Sequence, residues 1–319
     1  MSNLPWSVSG ALIACAIFLF LGLGMPVAVA LGLVGVISAY FLLGGFGIVG
    51  YAAWEMTTSF VLSAVPLFIF MGQLMLHSGI SRRLYSGSIA ALGRTKGGLL
   101  QSNIAACALF ATVSGSSVAT AATVGAMAIP EMEKRGYDRR LTLGSLAAGG
   151  TLGILIPPST TMIIYGVIAE QSIGELFIAG IVPGIGLALL FMAYIWIRVK
   201  LNPALAPAFE PIPASVRIRQ VLQMWPVLVI MVVVLAGIYL GVMTPSEAAA
   251  VGSIMALVFA AIFRQLNRAV LWDSLISAVQ ATSMLLFIMV GASILGGVLG
   301  MLRIPDALAA WVLSLEVPR

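Results

Sequence analysis

The stretch that decides the fold is Gly97-Gly98-Leu99-Leu100-Gln101-Ser102-Asn103-Ile104-Ala105-Ala106-Cys107-Ala108-Leu109-Phe110-Ala111-Thr112-Val113-Ser114-Gly115-Ser116-Ser117-Val118-Ala119-Thr120-Ala121-Ala122-Thr123-Val124-Gly125-Ala126-Met127-Ala128-Ile129-Pro130. It carries no charge, yet a basic group stands on either side. Arg82, Arg83, Arg94 and Lys96 precede it, and Lys134, Arg135, Arg139 and Arg140 follow. The positive-inside rule puts both groups on the cytoplasmic face, so the chain must cross an even number of times between them. The stretch is too short for two full spans of about 20 residues each. The solution is a re-entrant hairpin, with 98–113 entering, Ser114-Gly115-Ser116-Ser117 as the tip, and 118–133 returning.

A second helix-breaking run follows, Gly149-Gly150-Thr151-Leu152-Gly153-Ile154-Leu155-Ile156-Pro157-Pro158-Ser159-Thr160-Thr161. It interrupts the apolar segment 141–169, which the charges require to cross from inside to outside. Backbone can leave the helix at membrane depth only where protein or an enclosed cavity satisfies its polar groups. Both breaks therefore mark candidate functional positions.

The composition agrees with a membrane protein. Hydrophobic residues make up 61% of the 319-residue chain and charged residues 8%, against about 25% charged in soluble domains. Two further basic groups, Arg198, Lys200, Arg217 and Arg219, then Arg264 and Arg268, complete a cytoplasmic set that leaves only Arg303 and Arg319 of the 16 Lys and Arg. The net charge of +5 thus reflects loop asymmetry and not a nucleic-acid surface. Residues 1–5 lack a basic n-region, so 8–24 reads as a retained helix with a periplasmic N-terminus. The order is then 8–24 inward, 26–45 outward, 48–60 at the outer interface with Trp54 and Glu55, 62–79 inward, and an amphipathic stretch at 81–95. After the hairpin and the broken helix, 176–197 returns inward. The connection 198–219, with Pro203, Pro207, Pro211 and Pro213, is the best boundary. Residues 221–242 run outward and 246–263 inward. A cytoplasmic stretch 264–279 precedes 280–302, which runs outward.

An internal repeat is also legible. Pro26 and Pro245 open comparable helices 219 residues apart, and Phe68-Ile69-Phe70-Met71-Gly72 matches Phe287-Ile288-Met289-Val290-Gly291 at the same offset. Gly79-Ile80-Ser81-Arg82-Arg83-Leu84 loosely matches Arg303-Ile304-Pro305-Asp306-Ala307-Leu308. The two copies run in opposite directions through the membrane, which is the inverted-repeat build of secondary transporters. The second copy reaches Arg319 where its own hairpin would begin, so the second repeat reads as incomplete. The expected fold is an all-α polytopic membrane protein of inverted-repeat type, with a re-entrant hairpin and a broken helix.

The chemistry of the breaks follows from helix ends. Free carbonyls give a C-terminus partial negative charge, and free amides give an N-terminus partial positive charge. Gly115 allows the tight turn, and Ser116 or Ser117 can cap the returning helix. Hydroxyls and carbonyls are hard oxygen donors suited to a cation such as Na⁺, whereas free amides suit a carboxylate. The expected ion-binding residues are Ser114, Gly115, Ser116, Ser117, Gly153, Ile154 and Pro157, with Ser114, Ser116 and the carbonyls of both breaks as Na⁺ ligands. The expected substrate-binding residues are Ser117, Thr120, Pro158, Ser159 and Thr160. Pro158 is expected as a first helical residue. Thr123 and Thr161 could add hydroxyls, and Asn103 either lines the cavity or packs. No buried charge is expected in the broken segments, which argues against a carboxylate proton relay.

Other chemistries are poorly supplied. His77 is the single histidine, which excludes a metal site of several imidazoles. Cys15 and Cys107 lack disulfide or metal spacing. An intramembrane serine enzyme would need a Lys, His or acid near Ser114–Ser117, and none lies within the stretch 97–130.

At these residues the sequence resembles the large membrane subunit (DctM-like) of tripartite ATP-independent periplasmic, or TRAP, transporters. The resemblance rests on Phe110–Gly125, Ile129-Pro130-Glu131-Met132, Arg135-Gly136-Tyr137-Asp138, Gly150–Ser159, Ile173–Gly184 and Thr244-Pro245-Ser246-Glu247-Ala248-Ala249. It implies Na⁺-driven import of an organic acid across a bacterial inner membrane, with no cofactor beyond the coupling ion. It also implies two partners, a small four-helix membrane subunit and a periplasmic substrate-binding protein. An elevator motion is implied too. Residues 1–65 and 220–265 would form scaffold helices. Residues 66–197 would supply transport elements: an arm at 81–95, the hairpin at 98–134 and the broken helix at 141–170. Residues 198–219 would be a cytoplasmic connection, and 266–319 the arm and first transport elements of the second repeat. The competing readings are a single-chain anion and Na⁺ symporter of similar build, and a membrane fragment that does not transport.

Overall fold

The computed structural model describes residues 5–207 and 213–314; Pro211 of the connection and Arg319 lie outside the described residues. Every regular element among them is helical. The chain divides into two compact units. One takes in the chain up to Ser59 together with the chain from Gln280 onward; the other is Phe60–Val279.

The first unit holds α1 (Trp6–Gly22), α2 (Val27–Leu43), α3 (Gly47–Thr58), the later part of α14 (Arg268–Met301) and α15 (Ile304–Ser314). Helices α1 and α2 are 17 residues each, about 25 Å long at 1.5 Å per residue. The turn between them uses Gly24 at φ 80° and Pro26 as the residue before α2. Close contact in this unit depends on small residues. A Cβ at Gly291 would stand 2.8 Å from the Ala28 carbonyl oxygen and 3.0 Å from the Gly32 nitrogen, so α14 meets α2 backbone to backbone.

The second unit begins with a 3₁₀ turn, Phe60–Ser63, and α4 (Ala64–His77), followed by α5 (Ile80–Leu92). The predicted hairpin is present as α6 (Gly98–Ser114) and α7 (Ser117–Lys134). The broken helix is α8 (Arg139–Leu155) and α9 (Thr160–Ile168), bent by 41°. Then come α10 (Ile173–Leu201), a 3₁₀ turn at Pro203–Leu205, α11 (Ala214–Leu222), α12 (Trp225–Tyr239), α13 (Pro245–Ile262) and the start of α14. Among the described residues, five helical stretches are long and apolar enough to cross a membrane, or six with α8–α9 taken as one span. The protein is therefore an all-α, polytopic membrane protein.

Local chemistry sets several of these boundaries. Helix α13 starts on a capping box. The Glu247 carboxylate accepts from the Thr244 N–H at 2.8 Å while Thr244 Oγ1 accepts from the Glu247 N–H at 3.3 Å, a cap worth about 1 kcal/mol. Glu247 is thus a helix-start residue. Helix α13 packs along α4, where Ser253 Oγ donates to the Leu67 carbonyl at 2.8 Å and Ser63 Oγ donates to Ser246 Oγ at 3.1 Å.

The stretches read as 264–279 and 280–302 are joined in a single helix, α14, running from Arg268 to Met301. Asn267 Oδ1 accepts from the Val270 N–H at 2.8 Å and starts the helix early. No Gly or Pro then interrupts it before Gly291, so propensity favours continuation.

Left-handed residues recur at helix boundaries: Gly24 and Gly241 before α2 and α13, Gly44 and Arg264 after them, Gly79 and Arg303 before α5 and α15. Two of these residues are arginines, which carry the steric cost that glycine avoids.

Candidate functional site

The hairpin tip is a left-handed turn between two helix ends. Helix α6 ends at Ser114, Gly115 takes φ 57° and ψ 15°, and Ser116 is the extended N-cap of α7 at φ −135° and ψ 125°. The Ser116 hydroxyl accepts from the Ala119 N–H at 3.4 Å, which settles the capping role between the two serines. Ser114 Oγ lies 2.8 Å from Thr120 Oγ1, with both residues buried. The Ser117 hydroxyl is buried and finds no hydrogen-bond partner among the described residues.

The break in α8–α9 repeats the cap but not the turn. Ile156 is extended at φ −88° and ψ 120°, the Pro157-Pro158 peptide is cis, and Ser159 is the N-cap of α9. Its hydroxyl accepts from the Met162 N–H at 3.4 Å and donates to the Ile154 carbonyl at 2.9 Å. The first helical residue is Thr160, so the expectation that Pro158 would open the helix is corrected. A Ser cap outcompetes it, and the residue before a proline is held extended.

The two breaks meet. Thr160 Oγ1 donates to the Gly115 carbonyl at 2.9 Å. A Cβ at Gly115 would lie 3.1 Å from both the Pro158 oxygen and the Thr160 nitrogen. A Cβ at Gly153 would lie 2.7 Å from the Ser116 carbonyl and 2.8 Å from the Ser117 nitrogen. Two helix C-termini and two N-termini therefore converge on one small volume. Helix α9 continues for nine residues beyond the break, about 13 Å, so the tip meets the bent pair well short of its end.

Of the predicted residues, the fold brings together Ser114, Gly115, Ser116, Ser117 and Thr120 with Gly153, Ile154, Pro158, Ser159 and Thr160. Pro157 is buried at the break. Thr161 is exposed, and Thr123 is buried one turn beyond Thr120. Asn103 packs. It is fully buried, accepts from the Tyr85 hydroxyl at 3.3 Å and donates to Ser145 Oγ at 3.2 Å, tying α5, α6 and α8 together. Burial raises the Tyr85 phenol pKa, so it remains a neutral donor.

Gly72 on α4 is the residue that motif reading missed. A Cβ there would stand 2.9 Å from Ser114 Cα and 3.0 Å from the Val113 oxygen. The signal was available, because Gly72 and Gly291 share the repeat offset and both occupy close approaches.

No group of three or more His, Cys, Asp or Glu side chains comes together among the described residues. A cation at these breaks would be held by hydroxyl and carbonyl oxygens, and an anion by the amide ends of α7 and α9. Interrupted helices keyed tip to break, in an all-α chain with several helices long and apolar enough to cross a membrane, define a polytopic membrane protein. The particular family is equally clear: the chain belongs to the family described as tripartite ATP-independent periplasmic transporter, DctM component, whose model matches residues 14–318. Members of that family are transport proteins and not enzymes.

Similar proteins include the C4-dicarboxylate TRAP transporter large permease protein DctM of Pseudomonas aeruginosa, 40% identical over 265 residues, covering 82% of this chain and 61% of that protein. The isethionate TRAP transporter permease protein DctMQ of Oleidesulfovibrio alaskensis is 35% identical over 313 residues, covering 94% of this chain and 48% of that protein. The 2,3-diketo-L-gulonate TRAP transporter large permease protein YiaN of Escherichia coli is 32% identical over 300 residues, covering 91% and 70%. The chain thus spans about half to two thirds of the length of these relatives.

Proposed function

We propose that this chain serves in the permease of a Na⁺-coupled TRAP transporter that imports an organic acid across a bacterial inner membrane, with its N-terminus periplasmic. The observation that carries the reading is the Thr160 to Gly115 hydrogen bond beside the unpartnered Ser117 hydroxyl. Together they key a hairpin tip to a helix break and leave a buried oxygen for a ligand. Na⁺ is assigned to Ser114, Ser116 and the carbonyls of both breaks, in keeping with hard oxygen donors. The substrate carboxylate is assigned to the N-terminal ends of α7 and α9, with Ser117, Thr120, Ser159 and Thr160 as hydrogen-bonding groups. The names of relatives, which include C4-dicarboxylate, isethionate and 2,3-diketo-L-gulonate transporters, support an organic acid as the substrate class.

A periplasmic binding protein delivers the substrate and a small four-helix membrane subunit accompanies the permease. Hairpin and broken helix move as one body in an inverted-repeat elevator, because the tip contacts are too close to slide. The helices of 1–65 and 220–265 act as scaffold.

The test is uptake of labelled C4-dicarboxylate into proteoliposomes holding the assembled transporter and its binding protein, with Na⁺ and proton gradients imposed separately. Uptake is expected to require Na⁺, and Ser116→Ala is expected to raise the Na⁺ concentration for half-maximal rate. Uptake driven by protons alone, or an unchanged Na⁺ dependence in the variant, would count against the assignment.

A further inference from the structure

We propose that the groove between α8 and α10 binds a phospholipid whose headgroup carries net negative charge. The groove is a cavity of about 760 Å³ and lies away from both breaks. Its apolar wall on α10 is Leu187, Leu190, Phe191, Tyr194 and Ile195, one helical stripe that ends at Arg198. From Leu187 to Arg198 the stripe is about 16 Å long, the length of much of an acyl chain. Leu190 is 67% and Tyr194 is 56% exposed, so the wall is open on its outer side.

The facing wall on α8 repeats this design. Leu141, Gly144, Ser145 and Ala148 line it, with Arg140 at the same end as Arg198. The base of the groove is closed where the Asp138 N–H donates to the Leu205 carbonyl at 3.0 Å. Asp138 lines the same end, where its carboxylate caps α8 by accepting from the Leu141 N–H at 2.8 Å. Among the described residues, no carboxylate comes within ion-pair distance of Arg140 or Arg198. Arg140 also sits in the first turn of α8, where the macrodipole disfavours a cation. An anion at this end offsets both effects. Two unpaired guanidiniums above an acyl-length apolar groove are the features that recognise an anionic lipid on the cytoplasmic side. A soluble anion would satisfy the arginines but leave the stripe unused.

The site is tested by native mass spectrometry of the full chain released from detergent, with dioleoyl phosphatidylglycerol or dioleoyl phosphatidylcholine added. The wild-type chain is expected to retain phosphatidylglycerol in preference. The Arg140→Gln/Arg198→Gln variant is expected to lose that preference by roughly tenfold or more. A charge-matched control, Arg217→Gln/Arg219→Gln on α11, is expected to keep it. Gly144→Leu separates groove from charge. A Cβ at Gly144 meets nothing within 4 Å, so the leucine is accommodated and fills the groove. It is expected to displace the lipid with both arginines intact, and it decides the matter if the double variant fails to fold. Equal retention of the two lipids by the wild-type chain would overturn the proposal. So would a control variant that loses phosphatidylglycerol as strongly as the groove variant, or undiminished retention in Gly144→Leu.

Discussion

The hairpin tip and the α8–α9 break use the same cap and send the chain in different directions. Ser116 and Ser159 are both extended N-caps, at φ −135° and −120°, and each hydroxyl stands 3.4 Å from its acceptor-seeking amide. What precedes the cap differs. At the tip a single left-handed Gly115 turns the chain back on itself. At the break, extended Ile156 and the two prolines carry it onward with a bend of 41°. A cap decides where a helix starts, and the residues before it decide where that helix points.

Five substitutions break or sharpen this contrast, each read from denaturant unfolding of the purified chain followed by helical circular dichroism. The largest effect is expected for Gly115→Val. A β-branched side chain in the left-handed region adds about 1–2 kcal/mol of strain, and its crowding against Pro158 and Thr160 adds about 1–3 kcal/mol. A loss near 3 kcal/mol is therefore expected, while unchanged stability would mean that the turn does not need glycine. Next comes Gly153→Ala, where the added methyl meets backbone on Ser116 and Ser117; about 2 kcal/mol is expected. This variant tests whether the break must admit the tip.

Smaller effects separate the two caps. Ser159→Ala is expected to cost about 1–2 kcal/mol, because it removes a cap and strands the Ile154 carbonyl. Ser116→Ala removes a cap alone and is expected to cost about 1 kcal/mol. Equal losses would show that the Ser159 to Ile154 bond adds nothing. The smallest change is expected for Ser117→Ala, within about 0.5 kcal/mol of wild type, since its hydroxyl has no partner to lose. If Ser117 serves the ligand, the same variant lowers substrate uptake in the assembled transporter while leaving unfolding unaltered. A loss of 2 kcal/mol with normal uptake would make it a structural residue.

Much of the site was legible because its signals are local. A serine-glycine run inside an uncharged stretch flanked by arginines is a statement about nearest neighbours and crossing parity. The hairpin limits fell within a few residues of those observed. The positions that escaped involve partners far along the chain. Gly72 looks like any small residue on an apolar helix until Ser114 is placed against it. Asn103 offered two readings that only Tyr85 and Ser145 could separate. Pro158 lost its expected place to a neighbouring serine.

The sequence by itself determined that this is an all-α membrane protein with two interruptions supplied with hydroxyls. Charge asymmetry, apolar length and turn chemistry are properties of short stretches, and they survive without knowledge of the fold. Only the tertiary structure decided that the two interruptions meet. Thr160 and Gly115 are 45 residues apart, and the glycines that let their backbones touch announce no partner. Close packing is a relation between surfaces, so it becomes readable when both surfaces are in place.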